Sequence, residues 1–249
     1  MHEGRSRGQS LWKDMQTWPL VRWILGHDEI VLVALALLGL SVLGFIEVAE
    51  EVLEGDWRSF DESVLVGLRT PGSLDDPIGP PWFEETMRDF TALGGLAVVT
   101  LMTLAAFGFL MIAGRRNTAF YVLFAVGGGA LASILLKQGF DRPRPDLVAP
   151  GMHAYQSGFP SGHSMMSAVV YLTLGALLAR LQNRASQRTY LMGVACMVVI
   201  LVGLSRIYLG VHWPTDVLAG WLAGAAWATF CWLGAWWLET RLANARFIR

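Results

Sequence analysis

Six stretches without a charged side chain set the terms on which this chain can fold. They lie between Glu29 and Glu47, Asp89 and Arg115, Arg116 and Lys137, His163 and Arg180, Arg188 and Arg206, and Asp216 and Glu239, and contain 17, 25, 20, 16, 17 and 22 residues. A helix needs roughly 20 apolar residues to cross about 30 Å of hydrocarbon, where every backbone polar group must be satisfied internally. With 54% hydrophobic and 16% charged residues, the chain is expected to be an all-α polytopic membrane protein. Six transmembrane helices would occupy residues 29–240, between an N-terminal segment 1–28 and a tail 241–249. The shorter runs can cross because their charged flanks snorkel or line a protected polar site.

Lys and Arg concentrate in loops that stay in the cytoplasm. Arg5, Arg7, Lys13 and Arg22, then Arg115 and Arg116, then Arg180, Arg184 and Arg188, and finally Arg241, Arg246 and Arg249 put twelve of nineteen cations on one side. Both termini are therefore expected in the cytoplasm, and the other side faces outward. No small-residue cleavage site follows the first apolar run, so span one reads as a retained anchor. Before it, Trp12, Trp18, Leu20, Trp23 and Leu25 suit either a short interfacial helix or disorder.

Residues 48–92 form an acidic outward loop broken by Pro71-Gly72 and by the Pro-rich stretch from Asp76 to Pro81. Within it, Phe60, Val64, Leu65 and Leu68, and then Trp82, Phe83, Met87 and Phe90, suggest two short amphipathic helices that cap the bundle or form a lid. Ala125, Gly129 and Ser133, and Gly220, Gly224 and Ala228, recur every four residues, as close helix packing requires. Trp232, Trp236 and Trp237 read as an interfacial belt, and Cys196 and Cys231 as core packing.

Chemistry collects at span ends. His212 and Asp216 are four residues apart, with Pro214 suited to a first helical turn, so the carboxylate can reach the imidazole and fix its tautomer. A plain helix start with an interfacial histidine is the alternative. His163 follows Pro160-Ser161-Gly162, where Ser161 can cap a helix, free amides can hold phosphate oxygens, and the imidazole can exchange a proton. Lys137, Arg144 and Arg206 are snorkelling flanks taken singly and an anion clamp taken together. His163, His212 and Asp216 also suit a catalytic zinc, but three neighbouring cations would repel a dication while complementing a transferring phosphoryl group.

Read together, KQGFDRPRP from Lys137, PSGH from Pro160 and SRIYLGVHWPTD from Ser205 resemble the three-part signature of the type 2 phosphatidic acid phosphatases, Lys-x6-Arg-Pro, Pro-Ser-Gly-His and Ser-Arg-x5-His-x3-Asp. The layout also resembles the bacterial membrane lipid phosphatases of that family. The resemblance implies a helical core shared with vanadate-dependent haloperoxidases, no metal or other cofactor, and a lipid phosphate or pyrophosphate substrate. By the same resemblance, His212 is the nucleophile, Asp216 its partner and His163 the acid and then the base. Lys137, Arg144 and Arg206, with Ser161 and the Gly162 amide, would hold the phosphate. The expected partners are the bilayer and that lipid, not nucleic acid. A phosphotransferase of the same fold and an anion transporter are the alternative functions.

Overall fold

The computed structural model describes residues 29–145 and 157–246. The helices are α1 (Glu29–Glu54), α2 (Arg58–Gly67), α3 (Pro81–Ala92), α4 (Leu96–Ile112), α5 (Arg116–Gly139), α6 (Gly162–Arg180), α7 (Ala185–Tyr208) and α8 (Pro214–Arg246), with an antiparallel hairpin of β1 (Arg69–Thr70) and β2 (Ser73–Pro77). The segment 1–28, with its expected interfacial helix, lies outside the described residues.

Five helices, α1, α5, α6, α7 and α8, are each long and apolar enough to cross a membrane. The expected span between Asp89 and Arg115 holds the helix α4, which passes as a sixth span only together with α3, the two bent by 46°. The break falls at Gly94 and Gly95, residues that weaken a helix. A Cβ on Gly94 would stand 2.5 Å from Val202 Cγ1 and 2.9 Å from the His163 carbonyl oxygen, so the chain turns there against α6 and α7. Helix α1 runs beyond Glu47, where the apolar run ends, because Val48 and Ala49 continue its buried face against Phe159 and Ala219.

Helix α6 is the centre of the bundle, with 50% of its apolar window buried against 11% in α1. Small residues bring its neighbours close. A Cβ on Gly129 would lie 2.9 Å from Val169, one on Gly220 would lie 2.6 Å from the Ser161 carbonyl oxygen, and one on Gly224 would lie 2.5 Å from that of Met165. Both stripes read from the sequence therefore face α6. Cys231 is buried as expected, whereas Cys196 is on an exposed face of α7.

Helices α2 and α3 are the two amphipathic segments of the long loop, and both are fastened to the bundle. Leu65 is fully buried with Ile207 and Val217, and the Phe83 ring meets Tyr208 edge-on at 5.1 Å. The hairpin between them was not foreseen. Its turn uses Gly72 at φ +89°, a conformation that costs glycine least, and Arg69 Nη1 donates to the Tyr208 carbonyl at 3.0 Å.

These contacts separate two glycines of similar helical setting. Gly224→Ala must push apart α6 and α8 backbones and should destabilise by about 1–3 kcal/mol, while Gly127→Ala, with nothing within 4 Å of its Cβ, should be neutral or stabilising by up to about 1 kcal/mol. Thermal unfolding of both variants in one detergent checks the contrast; equal midpoints would contradict it.

Candidate active site

The spacing of the third motif follows from how α7 stops. Leu209 follows its last residue and Gly210 adopts φ +70°. The Gly210 amide then bonds the Ile207 carbonyl at 2.9 Å and the Val211 amide bonds that of Arg206 at 3.2 Å. This pair of bonds reverses the chain in a Schellman turn. The five residues between Arg206 and His212 are that turn, so the end of α7 and the start of α8 share one end of the bundle.

Helix α8 opens with Pro214, whose missing N–H is no loss at a first position. Two residues on, Asp216 bends back. Its Oδ2 accepts from the Trp213 amide at 3.1 Å and lies 3.3 Å from His212 Nδ1. Both side chains of the His212–Asp216 pair are almost completely buried. Burial pushes the His212 pKa down to about 4, with Asp216 opposing and the Arg206 and Arg144 charges reinforcing the shift. A neutral imidazole whose Nδ1–H is held by a carboxylate presents Nε2 as a base or nucleophile.

The second motif is tied to the same carboxylate residue. The Asp216 carbonyl accepts from the Ser161 amide at 2.9 Å, and Ser161 caps α6, its Oγ accepting from the Ser164 hydroxyl at 3.0 Å and the Ser164 amide at 3.5 Å. The Ser161 hydroxyl and amide thus have protein partners. Gly162 and His163 begin α6, where first-turn N–H groups lack intrahelical acceptors.

Three expected cations surround this point. Lys137 closes α5, with Nζ 3.2 Å from the Ser157 carbonyl and 3.8 Å from a Cβ built on Gly162. Gly158, whose Cβ would lie 3.2 Å from Asp216 Oδ2 and 3.4 Å from Arg144 Cγ, allows Arg144 to pack beside the carboxylate. Arg206 donates from Nη1 to Thr91 Oγ1 at 3.0 Å, while its buried Nε has no protein partner. His163 lies within the fields of Arg206, His212, Arg144 and Lys137. The structure therefore brings together all eight residues singled out in the sequence.

It adds three that motif spacing does not select. Arg142 Nη1 donates to Asp216 Oδ1 at 2.7 Å and to Thr215 Oγ1 at 2.6 Å, and its Nη2 donates to Asp61 Oδ2 at 2.6 Å. Asp61 also accepts from the Thr215 hydroxyl at 2.6 Å and amide at 3.0 Å. Arg142 sits inside the first motif two residues before Arg144, and its nearness to a carboxylate was the one available signal. Asp61 had none, being remote in sequence and placed in a loop.

Against this geometry, comparison with known proteins is specific. Residues 118–239 match the profile of the PAP2 superfamily. Phosphatidylglycerophosphatase B of Bacillus subtilis is 36% identical over 149 residues, covering 59% of this chain and 72% of that one. An undecaprenyl-diphosphatase of Sulfolobus acidocaldarius is 39% identical over 72 residues, 29% of this chain and 30% of that one. The crystal structure of a transmembrane PAP2-type phosphatidylglycerolphosphate phosphatase from Bacillus subtilis superposes with a TM-score of 0.62 at 26% identity, over 80% of this chain and 93% of that one. The chain belongs to the PAP2 superfamily. It is an integral membrane phosphatase, a hydrolase of phosphoric esters acting on lipids.

Because a free imidazole titrates near 6.5 and the folded value is lower, the unfolded chain takes up a proton that the native one refuses as pH falls from about 6.5 to about 4. Below 6.5 this costs stability, and the loss is complete near 4. Spectra of 15N-histidine protein, with His212→Gln subtracted, should show His212 neutral at about pH 5.5; an imidazolium there would contradict the site described.

Proposed function

We propose that this protein hydrolyses a lipid phosphomonoester or lipid pyrophosphate on the outer face of the membrane through a phosphohistidine intermediate. The observation that carries the reading is the buried His212–Asp216 pair beside Lys137, Arg144, Arg206 and a second imidazole, His163. The twelve-to-seven distribution of cations supports cytoplasmic termini and an outward-facing site. Relatives named phosphatidylglycerophosphatase B and undecaprenyl-diphosphatase indicate the breadth of the substrate class, from phosphatidylglycerophosphate to undecaprenyl pyrophosphate, and phosphatidate, another glycerolipid phosphomonoester, falls within it.

In this reading Lys137, Arg144 and Arg206 hold the phosphoryl oxygens, with the Gly162 amide at the positive end of α6 and Ser161 shaping that end. The Nε2 lone pair of His212 attacks phosphorus as the ester P–O bond breaks, and His163 gives its proton to the leaving oxygen. Asp216 stabilises the cationic imidazole so formed. His163 then takes a proton from water, whose oxygen bonds to phosphorus as the P–N bond breaks, returning the electron pair to Nε2 and releasing phosphate. The cations act most strongly where charge develops, on the three equatorial oxygens. No step calls on a metal.

Phosphate release by purified protein, measured with EDTA present from phosphatidate, phosphatidylglycerophosphate and undecaprenyl pyrophosphate, tests this directly. At least one lipid should release free phosphate without an acceptor, and vanadate should compete with it. Activity lost in EDTA and restored by zinc or magnesium would sink the metal-free mechanism. His212→Ala should retain less than about a hundredth of wild-type turnover, because among the described residues His212 is the imidazole held by a carboxylate, and His163 is already used as acid and base.

His163 can be tested through the leaving group. A lipid pyrophosphate expels a phosphate monoester with a second pKa of about 6, whereas a phosphomonoester expels an alkoxide that badly needs a proton. On a pyrophosphate lipid, His163→Ala should give a burst of about one product per enzyme and then stall; on a phosphomonoester it should give none. Equal bursts in rapid-quench experiments, or steady wild-type turnover, would remove both roles from His163.

A further inference from the structure

We propose that Asp61, on the short helix α2, is a positioning residue for the reaction: it divides Arg142 between two carboxylates and holds the first turn of α8 so that Asp216 keeps one oxygen on His212. The inference rests on the phosphatase reading of the His212 site but centres on a residue, Asp61, that lies outside its three motifs.

The start of α8 explains why such a residue is needed. Trp213 stands at the cap position, and an indole has no oxygen for the first-turn amides. Asp216, three residues later, supplies half of a capping box by reaching back to the Trp213 amide. The other half ordinarily comes from a serine or threonine at the cap. Here it comes from a different helix, since Asp61 Oδ1 accepts from the Thr215 amide at 3.0 Å.

The second oxygen of Asp61 does more than cap. It accepts from Arg142 Nη2 and from the Thr215 hydroxyl, both at 2.6 Å. The guanidinium has its Nη1 on Asp216 Oδ1, leaving Oδ2 for the histidine. Asp61 and Asp216 are both fully buried and the Arg142 side chain is 15% exposed, so neither carboxylate can exchange its partner for water at low cost. Without Asp61, Arg142 is free to close on Asp216 with both nitrogens, the geometry guanidinium and carboxylate prefer. The 3.3 Å contact to His212 Nδ1 is the longest bond Asp216 makes and the first to go.

Asp61→Asn keeps an oxygen for the Thr215 amide but turns an NH2 toward the Arg142 donor. It should lower kcat about 10- to 100-fold with KM changed less than about threefold, as misplacement of a reacting group does. The fraction of His212 in the Nδ1–H tautomer, read from 15N-histidine spectra, should fall with it. In an Arg142→Gln background the same substitution should add less than about a twofold loss, since both act through Asp216. Should Asp61→Asn fail to fold, Thr215→Val against Thr215→Ser decides instead: valine loses the hydroxyl joining Asp61 to Arg142, and serine should recover most of the lost kcat and tautomer. An unchanged tautomer, a loss confined to KM, or losses that multiply with Arg142→Gln would overturn the role. If the wild-type protein released no phosphate from any lipid, the phosphatase reading would fall, and the tautomer comparison would still decide what Asp61 does.

Discussion

Asp216 is the residue on which the site depends, because each of its acceptors is tied to a different part of the chain. Its carbonyl takes the Ser161 amide at the head of α6, Oδ2 takes the Trp213 amide and stands against His212, and Oδ1 takes Arg142 from the segment after α5. One buried residue thus fixes three motif-bearing segments against one another. Gly220 and Gly224 make this possible by letting α8 approach the backbone of α6 to contact distance. Side chains at those positions would hold the two helices, and with them His163 and His212, further apart.

The membrane architecture was legible because hydrocarbon thickness imposes a length on uncharged runs. The same rule misjudged two ends. It stopped α1 at Glu47, although Val48 and Ala49 carry a buried face past the first acids, and it began the next span just after Asp89, although the break at Gly94 and Gly95 delays α4 to Leu96. In both cases tertiary contact with neighbouring helices, which periodicity does not report, decided the outcome. The hairpin at Gly72 was hidden for a related reason: the sequence announced a turn, but not that the flanking residues would pair.

The site was legible to the extent that its chemistry is local. His212 and Asp216 meet because they are one helical turn apart, and the spacer to Arg206 is a helix stop ending in Gly210. Asp61 meets Thr215 across 154 positions, and no spacing rule connects them. Arg142 was masked differently. It shares a motif with Arg144, and only the folded geometry distinguishes the arginine that pairs with the carboxylates from the one that packs beside Asp216.

The charges around the site form one electrostatic system. Among the described residues, Lys137, Arg142, Arg144 and Arg206 stand around two buried carboxylates, Asp61 and Asp216, a formal excess of two positive charges near His212. Such an excess in a half-buried pocket is costly unless an anion joins it, and a phosphomonoester carries about −1.5 to −2 at neutral pH. A bound dication would enlarge the excess instead of neutralising it. Arg142 is engaged by both carboxylates and orients Asp216, while in the proposed reading Lys137, Arg144 and Arg206 are the cations that meet the phosphate. The division of labour proposed for these four cations rests on two carboxylates, one of them contributed by a helix outside the spans. The loop bearing α2 is thereby tied into the framework of the candidate site.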